Sequence, residues 1–355
     1  MNTYDSRLRE DSTDRPESTI NFRLSRDEIL SLPGEQRMAY LHSLQVKHKN
    51  LEIVANDLVR LLSKYNDTNI LAIIGATGVG KTSLIRRLIR VIVERNESDI
   101  SSVPFIYIAA PANGDRSVSW TTIYENILLE AEEILTNKKQ ETFCDGKKII
   151  VNPRRYRTLA SLRDALESML KYRHVRVLVI DEAVHLLRFG NYAPVMDTIK
   201  SLADRTMVKV LLVGSYDLFD LATNYGQVAR RAEILHFRRY RKEAKQDQAE
   251  FRSLIQIFQQ HWPCDQVPDF QVVSHELFEA SLGCVGILKA LLLQALSLQI
   301  ENDNKWRPSM LGKSAKSVKL LCRIREEIEQ GERKVDGATY GESVLSRMCF
   351  KEKLS

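Results

Sequence analysis

The run Gly75-Ala76-Thr77-Gly78-Val79-Gly80-Lys81-Thr82 constrains this chain more than any other stretch. It fits the pattern G-x-x-x-x-G-K-[ST] at every fixed position. Before it, residues 70–74 form a short apolar run that reads as a buried strand. After it, a helix is expected from Lys81 to about Arg95, with Leu84, Leu88 and Ile92 on one face. Gly75, Gly78 and Gly80 allow the backbone to curl until its N–H groups point inward. The N-terminus of the following helix adds its dipole, and the two together attract a polyphosphate. Lys81 can reach β- and γ-phosphates, and Thr82 offers a hydroxyl to magnesium. The eight residues, with Ser83 behind them, are the expected binding set for ATP and Mg2+. A chance glycine turn between strand and helix is the alternative, and the motif and its context together weigh against it.

About a hundred residues later the run Val177-Leu-Val-Ile-Asp181-Glu182 ends an apolar strand in two acids. Buried strands end at a sheet edge where ligands collect. Asp181 can hold magnesium through its water shell, and Glu182 can orient and deprotonate an attacking water. An acidic strand end without a metal is the plainer alternative.

Further strands are expected at 103–109, 175–180, 208–213 and 234–237, with helices near 120–135, 158–172 and 193–205. Thr158 or Ser161 is available to cap the second of these helices. Strands alternating with helices imply an α/β fold, a mostly parallel sheet covered on both faces. Past the charged run 238–252 the sequence reads as helical, at 254–258, 285–301 and 318–329. The expected organisation is a flexible tail over 1–34, a large α/β ATPase domain over 35–240, a helical lid over 241–305, and a C-terminal helix and tail for partner docking over 306–355.

The net charge of +6 permits nucleic-acid binding without diagnosing it. The five cysteines, Cys144, Cys264, Cys284, Cys322 and Cys349, lie far apart with no C-x-x-C pair. Neither zinc spacing nor a disulfide framework follows, and a reducing cytoplasm is the expected home. The apolar stretch 287–300 is interrupted by Lys289, Gln294 and Gln299 and is too short to cross a bilayer, so no membrane partner is expected.

With these residues in place the chain resembles AAA+ ATPases, and more narrowly the transposition regulators TnsC and TniB, relatives of the phage Mu B protein. The likeness covers about residues 35–300. It includes the helix carrying His48 and Leu51, the phosphate loop, residues 177–185, Gly214-Ser-Tyr, Gln227-Val-Ala-Arg230-Arg231, residues 234–240 and the block after Gly283. It implies a P-loop AAA+ parallel sheet with flanking helices plus a small all-helical C-terminal lid. It implies that Ser215 acts as sensor 1, touching the γ-phosphate or the lytic water, with a plain turn as the alternative. Arg230 or Arg231 would be the arginine finger, reaching the γ-phosphate of a neighbouring subunit; a solvated basic surface is the alternative. An arginine called sensor 2 often falls where Gly286 stands here, and Lys289 one helical turn later would substitute. Slow or partner-stimulated hydrolysis fits that departure.

The likeness also implies a role. Such proteins bind ATP and assemble as rings or helical filaments of identical subunits on double-stranded DNA, without sequence preference. They recruit a transposase, connect it to a target-selection protein, and use hydrolysis to reset the polymer in a prokaryotic cytoplasm. A replication-initiator-like AAA+ ATPase is one alternative, and the missing sensor 2 arginine weighs against it. An ATP-gated signalling switch of the STAND type is another, and such switches normally carry large effector domains.

Non-specific DNA binding needs cations directed at phosphates. The densest run is Lys147-Lys148 followed by Arg154, Arg155 and Arg157, with Gly146 and Pro153 marking an exposed loop or hairpin. A solvated basic loop is the alternative. Five phosphates neutralised per protomer would give a log–log salt slope of about −4 to −5. The clusters at Arg238, Arg239, Arg241 and Lys242 and at Arg86, Arg87 and Arg90 read as solvated faces or subunit contacts.

Overall fold

The structure is a computed structural model and describes residues 24–63, 68–94, 103–112, 117–131, 140–145, 148–153, 158–187, 192–223 and 232–338. It divides into two compact units. An α/β unit contains Lys47–Ala244, Leu282–Ile287 and the residues from Ser317 on; a helical unit contains the residues up to Val46, Lys245–Ser281 and Leu288–Lys316.

The strands in chain order are β1 (Ile70–Ile74), β2 (Phe105–Ala109), β3 (Gln140–Asp145), β4 (Lys148–Pro153), β5 (Val177–Asp181), β6 (Lys209–Gly214) and β7 (Ala232–His236). Five of them form one sheet in the order β2-β5-β6-β1-β7, with every pair parallel. The three inner strands β5, β6 and β1 are buried along their whole length, which is why, apart from Asp181 and Lys209 at strand ends, their sequences are apolar runs rather than alternating ones. The strand order matters for chemistry. β5 and β6 are inserted between β1 and β2, so the end of β5 comes close to the end of β1. Ile74 is level with Gly214 and with His236, and Asp181 is level with Ala109. All five strands therefore finish at one edge, and the chain leaves that edge through the phosphate loop, Glu182, Ser215 and Phe237.

Helices α3 (Lys49–Leu61), α4 (Lys81–Glu94), α5 (Trp120–Glu130), α6 (Leu159–Tyr172), α7 (Tyr192–Thr206) and α8 (Asp217–Thr223) flank the sheet. Alternate residues of β1 face opposite ways. Ile70, Ala72 and Ile74 join the apolar faces of α5, α6 and α7. Leu71 and Ile73 join Leu51, Val54 and Leu58 of α3 and Leu84, Ile85 and Leu88 of α4. Thr158 caps α6 by accepting the Ser161 N–H at 3.1 Å. The last helix of this unit, α13 (Val318–Ala338), buries Ile328 in the same core, with Leu321 and Ile324 beside it. The helix expected at 318–329 falls within α13 and supplies core residues to the α/β unit.

Strands β3 and β4 make a separate antiparallel hairpin, with Asp145 opposite Lys148. The expected short strand at 149–151 falls in β4. Of the basic run, Lys148 opens β4, whereas Lys147, Arg154, Arg155 and Arg157 lie outside the described residues.

The helical unit has α1 (Arg26–Ser31), α2 (Gly34–Ser43), α9 (Lys245–Gln260), α10 (Ser274–Ser281), the part of α11 (Val285–Glu301) from Leu288 on, and α12 (Ser309–Ser314). The expected tail runs to residue 34. Residues 26–31 are nevertheless helical, because Ser25 and Glu28 cap one another reciprocally and Ile29 is buried. Trp262 is buried against Phe270 and Trp306, and its indole N–H donates to Gln299 Oε1 at 2.8 Å. Gln299 in turn donates to the carbonyls of Gln266 and Asn304. No single helix among the described residues is long and apolar enough to cross a membrane.

Candidate active site

The phosphate loop lies between β1 and α4, and its glycines are there for space and for backbone angle. A Cβ on Gly75 would stand 2.5 Å from the Phe237 carbonyl oxygen. Gly78 has φ +79° and Gly80 φ +116°, conformations that disfavour any side chain. The N–H of Leu84 is returned to the Gly80 carbonyl at 3.0 Å. The N–H groups of Lys81, Thr82 and Ser83 precede that bond, in the first turn of α4, where a helix directs its donors outward. Val79 donates to Ala76 across the loop at 3.2 Å, and Thr77 sits between them in the turn.

Lys81 Nζ donates to the carbonyls of Gly75 at 2.8 Å and Ala76 at 2.9 Å. Burial draws its pKa down to about 8, against the opposing pull of Asp181. An ammonium held this way is short of negative charge, and a polyphosphate in the loop supplies it.

Asp181, at the end of β5, is buried, and both its oxygens are fixed. Oδ2 accepts from the Tyr107 hydroxyl at 2.9 Å and Oδ1 from the Glu182 N–H at 2.8 Å. Burial and the neighbouring carboxylate raise the Tyr107 pKa, so the phenol stays protonated and remains a donor. Glu182 follows with φ +51°, a left-handed backbone that costs a side-chain-bearing residue about 1–3 kcal/mol. The turn points Glu182 out of the sheet; its carboxylate is 65% exposed and 3.2 Å from His185 Nε2. A magnesium ion suits this donor set, the Thr82 hydroxyl and the Asp181 carboxylate being hard oxygens at the same sheet edge. When bound with nucleotide, the ion neutralises charge on the phosphate oxygens.

Ser215 is at the bend after β6, with its hydroxyl 3.3 Å from Asp217 Oδ2. The register of β6 with β1 brings it to the same edge as Gly75. Arg230 and Arg231 lie outside the described residues. Lys289 has other partners than a nucleotide: its ammonium donates to the carbonyls of His42 at 2.6 Å and Leu44 at 2.9 Å, at the C-terminal end of α2.

Gly286 has a steric role. Its N–H donates to the Gly78 carbonyl at 2.7 Å, and a Cβ there would stand 2.6 Å from that oxygen. The position can hold no arginine while α11 starts against the phosphate loop.

His48, which carries part of the resemblance, stands at the site itself. It caps α3 and lies beside the loop, its Nε2 being 4.0 Å from where a Cβ of Gly80 would sit. The ring is stacked on Phe237, and Nδ1 is 3.2 Å from the Tyr240 hydroxyl. Nδ1 accepts the Leu51 N–H, which leaves the ring proton on Nε2, facing the loop. Burial lowers its pKa to about 4, so it is neutral at pH 7. The sequence marks it only as a histidine before an amphipathic helix within the stretch that resembles AAA+ proteins.

Residues 64–222, which include the phosphate loop, Asp181, Glu182 and the turn after β6, match the family model described as an AAA domain. The fold is that of an AAA+ P-loop domain. No protein of curated function matches the chain in sequence. Among solved structures, the AAA+ fold here is similar to Cdc6p from Pyrobaculum aerophilum, at 16% identity and TM-score 0.52, over 78% of this chain and 69% of that one. It is similar to the ORC2 protein of Aeropyrum pernix in its ADPNP-ADP complexes, at 16% identity and TM-score 0.53, over 78% and 69%. It is also similar to the Aeropyrum pernix ORC1 protein in complex with DNA, at 17% identity and TM-score 0.50, over 78% and 68%. At such identities the likeness is one of fold.

Proposed function

We propose that this protein is an ATP-hydrolysing AAA+ switch that assembles as an oligomer on duplex DNA and regulates transposition. The observation that carries the ATPase reading is the convergence of four groups at one sheet edge. Lys81, Asp181, Glu182 and Ser215 leave from the ends of β1, β5 and β6, which are hydrogen-bonded neighbours. In this reading the phosphate loop and Lys81 hold the β- and γ-phosphates, and Thr82 and Asp181 hold the magnesium. Glu182 orients and deprotonates the attacking water, and Ser215 touches the γ-phosphate or that water. Arg230 or Arg231 completes a neighbouring subunit's site, so turnover depends on assembly. His48, neutral and facing the loop, lines the nucleotide's place.

The transposition role draws on the likeness to TnsC and TniB across Gln227-Val-Ala-Arg230-Arg231 and the block after Gly283. It implies a transposase and a target-selection protein as partners, with a lid over 241–305 and docking through the C-terminal residues. DNA contact is assigned to Lys147, Lys148, Arg154, Arg155 and Arg157. A second reading, a replication-initiator-like ATPase, is favoured by the fold likeness to Cdc6p and the ORC proteins.

The test is negative-stain electron microscopy of the protein with duplex DNA, with and without a non-hydrolysable ATP analogue. Rings or filaments that require nucleotide, coat DNA of any sequence and vanish in Lys81→Ala are the expected result. A fixed footprint at particular sequences favours the initiator reading. Monomers under every condition overturn the polymer.

A further inference from the structure

The cluster around Tyr216 has no part in the function proposed above. Tyr216 directly follows Ser215 and is buried. Its hydroxyl is 3.1 Å from His236 Nε2, and the two rings meet edge to face at 5.5 Å. On another side it presses against α13, where a Cβ added to Gly331 would stand 2.1 Å from Tyr216 Cγ. The next residue, Glu332, is buried and accepts two bonds from one guanidinium, from Arg239 Nε at 3.0 Å and Nη2 at 3.1 Å. The same Arg239 donates through Nη1 to the Leu282 carbonyl at 3.1 Å. Leu282 opens the turn that lays Cys284 near Lys81 and presents the Gly286 N–H to Gly78.

Two adjacent residues of α13 therefore grip two turns that border the phosphate loop. Gly331 meets the turn of Ser215, and Glu332 meets the turn of Leu282–Gly286 through Arg239. Arg241 with Asp336 and Lys334 with Asp220, each at 2.9 Å, fasten the same helix, the latter onto α8. Packing alone would need no such fixtures, since Leu321, Ile324 and Ile328 already give α13 an apolar stripe. A buried carboxylate–guanidinium pair adds little net stability over an apolar replacement. Its two parallel bonds do fix orientation.

We propose that α13 is a positioning strap for hydrolysis, in which Gly331, Glu332 and Arg239 hold the Ser215 turn and the Leu282–Gly286 turn against the phosphate loop and so set turnover rather than nucleotide affinity. This rests on the ATPase reading above. Glu332, Arg239 and Gly331 are positioning residues; they act through Ser215 and the loop.

The test compares the wild-type full chain with Glu332→Gln and Arg239→Lys, with Glu182→Gln as a hydrolysis-dead reference. Circular dichroism melts establish that each variant is folded. Arg239→Lys keeps the charge while losing the fork, and it carries the test if Glu332→Gln does not fold. On duplex DNA, turnover at saturating ATP is expected to fall about tenfold in both strap variants, because a small misplacement of reacting groups is expensive. KM for ATP and the affinity for a fluorescent ATP analogue are expected to stay within about twofold. Folded strap variants with wild-type turnover overturn the proposal, as does a loss of turnover matched by an equal loss of nucleotide affinity. A wild type that turns over no faster than Glu182→Gln overturns the ATPase reading, and the strap with it.

Discussion

Position 286 shows how one residue can be misread from a resemblance and explained by its neighbours. Set beside the initiator-type AAA+ proteins that the chain resembles, Gly286 stands in place of an expected arginine. In the structure it is the only kind of residue that fits, with its backbone 2.7 Å from the Gly78 carbonyl. Gly78 is constrained in turn, since a Cβ there would stand 2.9 Å from Ile287 Cγ1. We expect Gly286→Ala to lower stability by about 1–3 kcal/mol through overpacking. We also expect it to weaken nucleotide binding, because relief of the clash moves the phosphate loop. Urea unfolding and titration with a fluorescent ATP analogue check both; wild-type values in each would remove the steric account. The glycines and Lys81 of the loop itself were legible in the sequence, because their roles are set by local backbone geometry. His48 and Glu332 were not, because their partners Tyr240 and Arg239 lie far off in the chain and nothing in local spacing marks them.

At the scale of elements, the helices on one face of the sheet are keyed together by a charge as well as by apolar packing. Glu167 of α6 is buried and accepts from Arg163 at 2.6 Å and from Arg205 of α7 at 2.8 Å. Arg163 also donates to the Tyr124 hydroxyl of α5 at 3.0 Å and to Ser201 Oγ of α7 at 3.3 Å. Removing Glu167 leaves Arg163 half-buried without its carboxylate. The cost for a buried pair is several kcal/mol, reduced here because Arg205 is largely exposed. Glu167→Ala is therefore expected to destabilise by about 2 kcal/mol, read as a lower urea midpoint with an unchanged slope. A midpoint equal to the wild type would mean that the apolar faces alone set the arrangement. The existence of α5, α6 and α7 was readable from their periodicity, and the cap of α6 from Thr158. The network that orients them was not, since Arg163 and Glu167 look like any i,i+4 surface pair until a neighbouring helix covers them.

For the whole molecule, one buried and one partly buried histidine make stability depend on pH. Burial lowers the pKa of His48 to about 4, and burial with the nearby Arg238 and Arg241 does the same for His236. Unfolded, each takes up a proton near pH 6.5; folded, each refuses it until about pH 4. Between those values the unfolded state binds more protons, so stability is complete above about pH 6.5 and falls as pH drops toward 4. Each unit of pKa difference corresponds to about 1.4 kcal/mol. The expected result is a urea midpoint lower at pH 5 than at pH 7, with a smaller drop in the double variant His48→Gln, His236→Gln. Equal drops in both proteins would assign the acid sensitivity to other groups. The strand-loop-helix of the phosphate site, the acidic end of β5 and the alternation that makes a parallel sheet can be read from the chain alone, because hydrophobic period and glycine placement act over a few residues. That Gly286 abuts Gly78, that Lys289 serves α2, that His48 faces the loop, and that α13 reaches Tyr216 are features of the fold. Those contacts depend on which strand ends become neighbours, and local spacing carries no record of that.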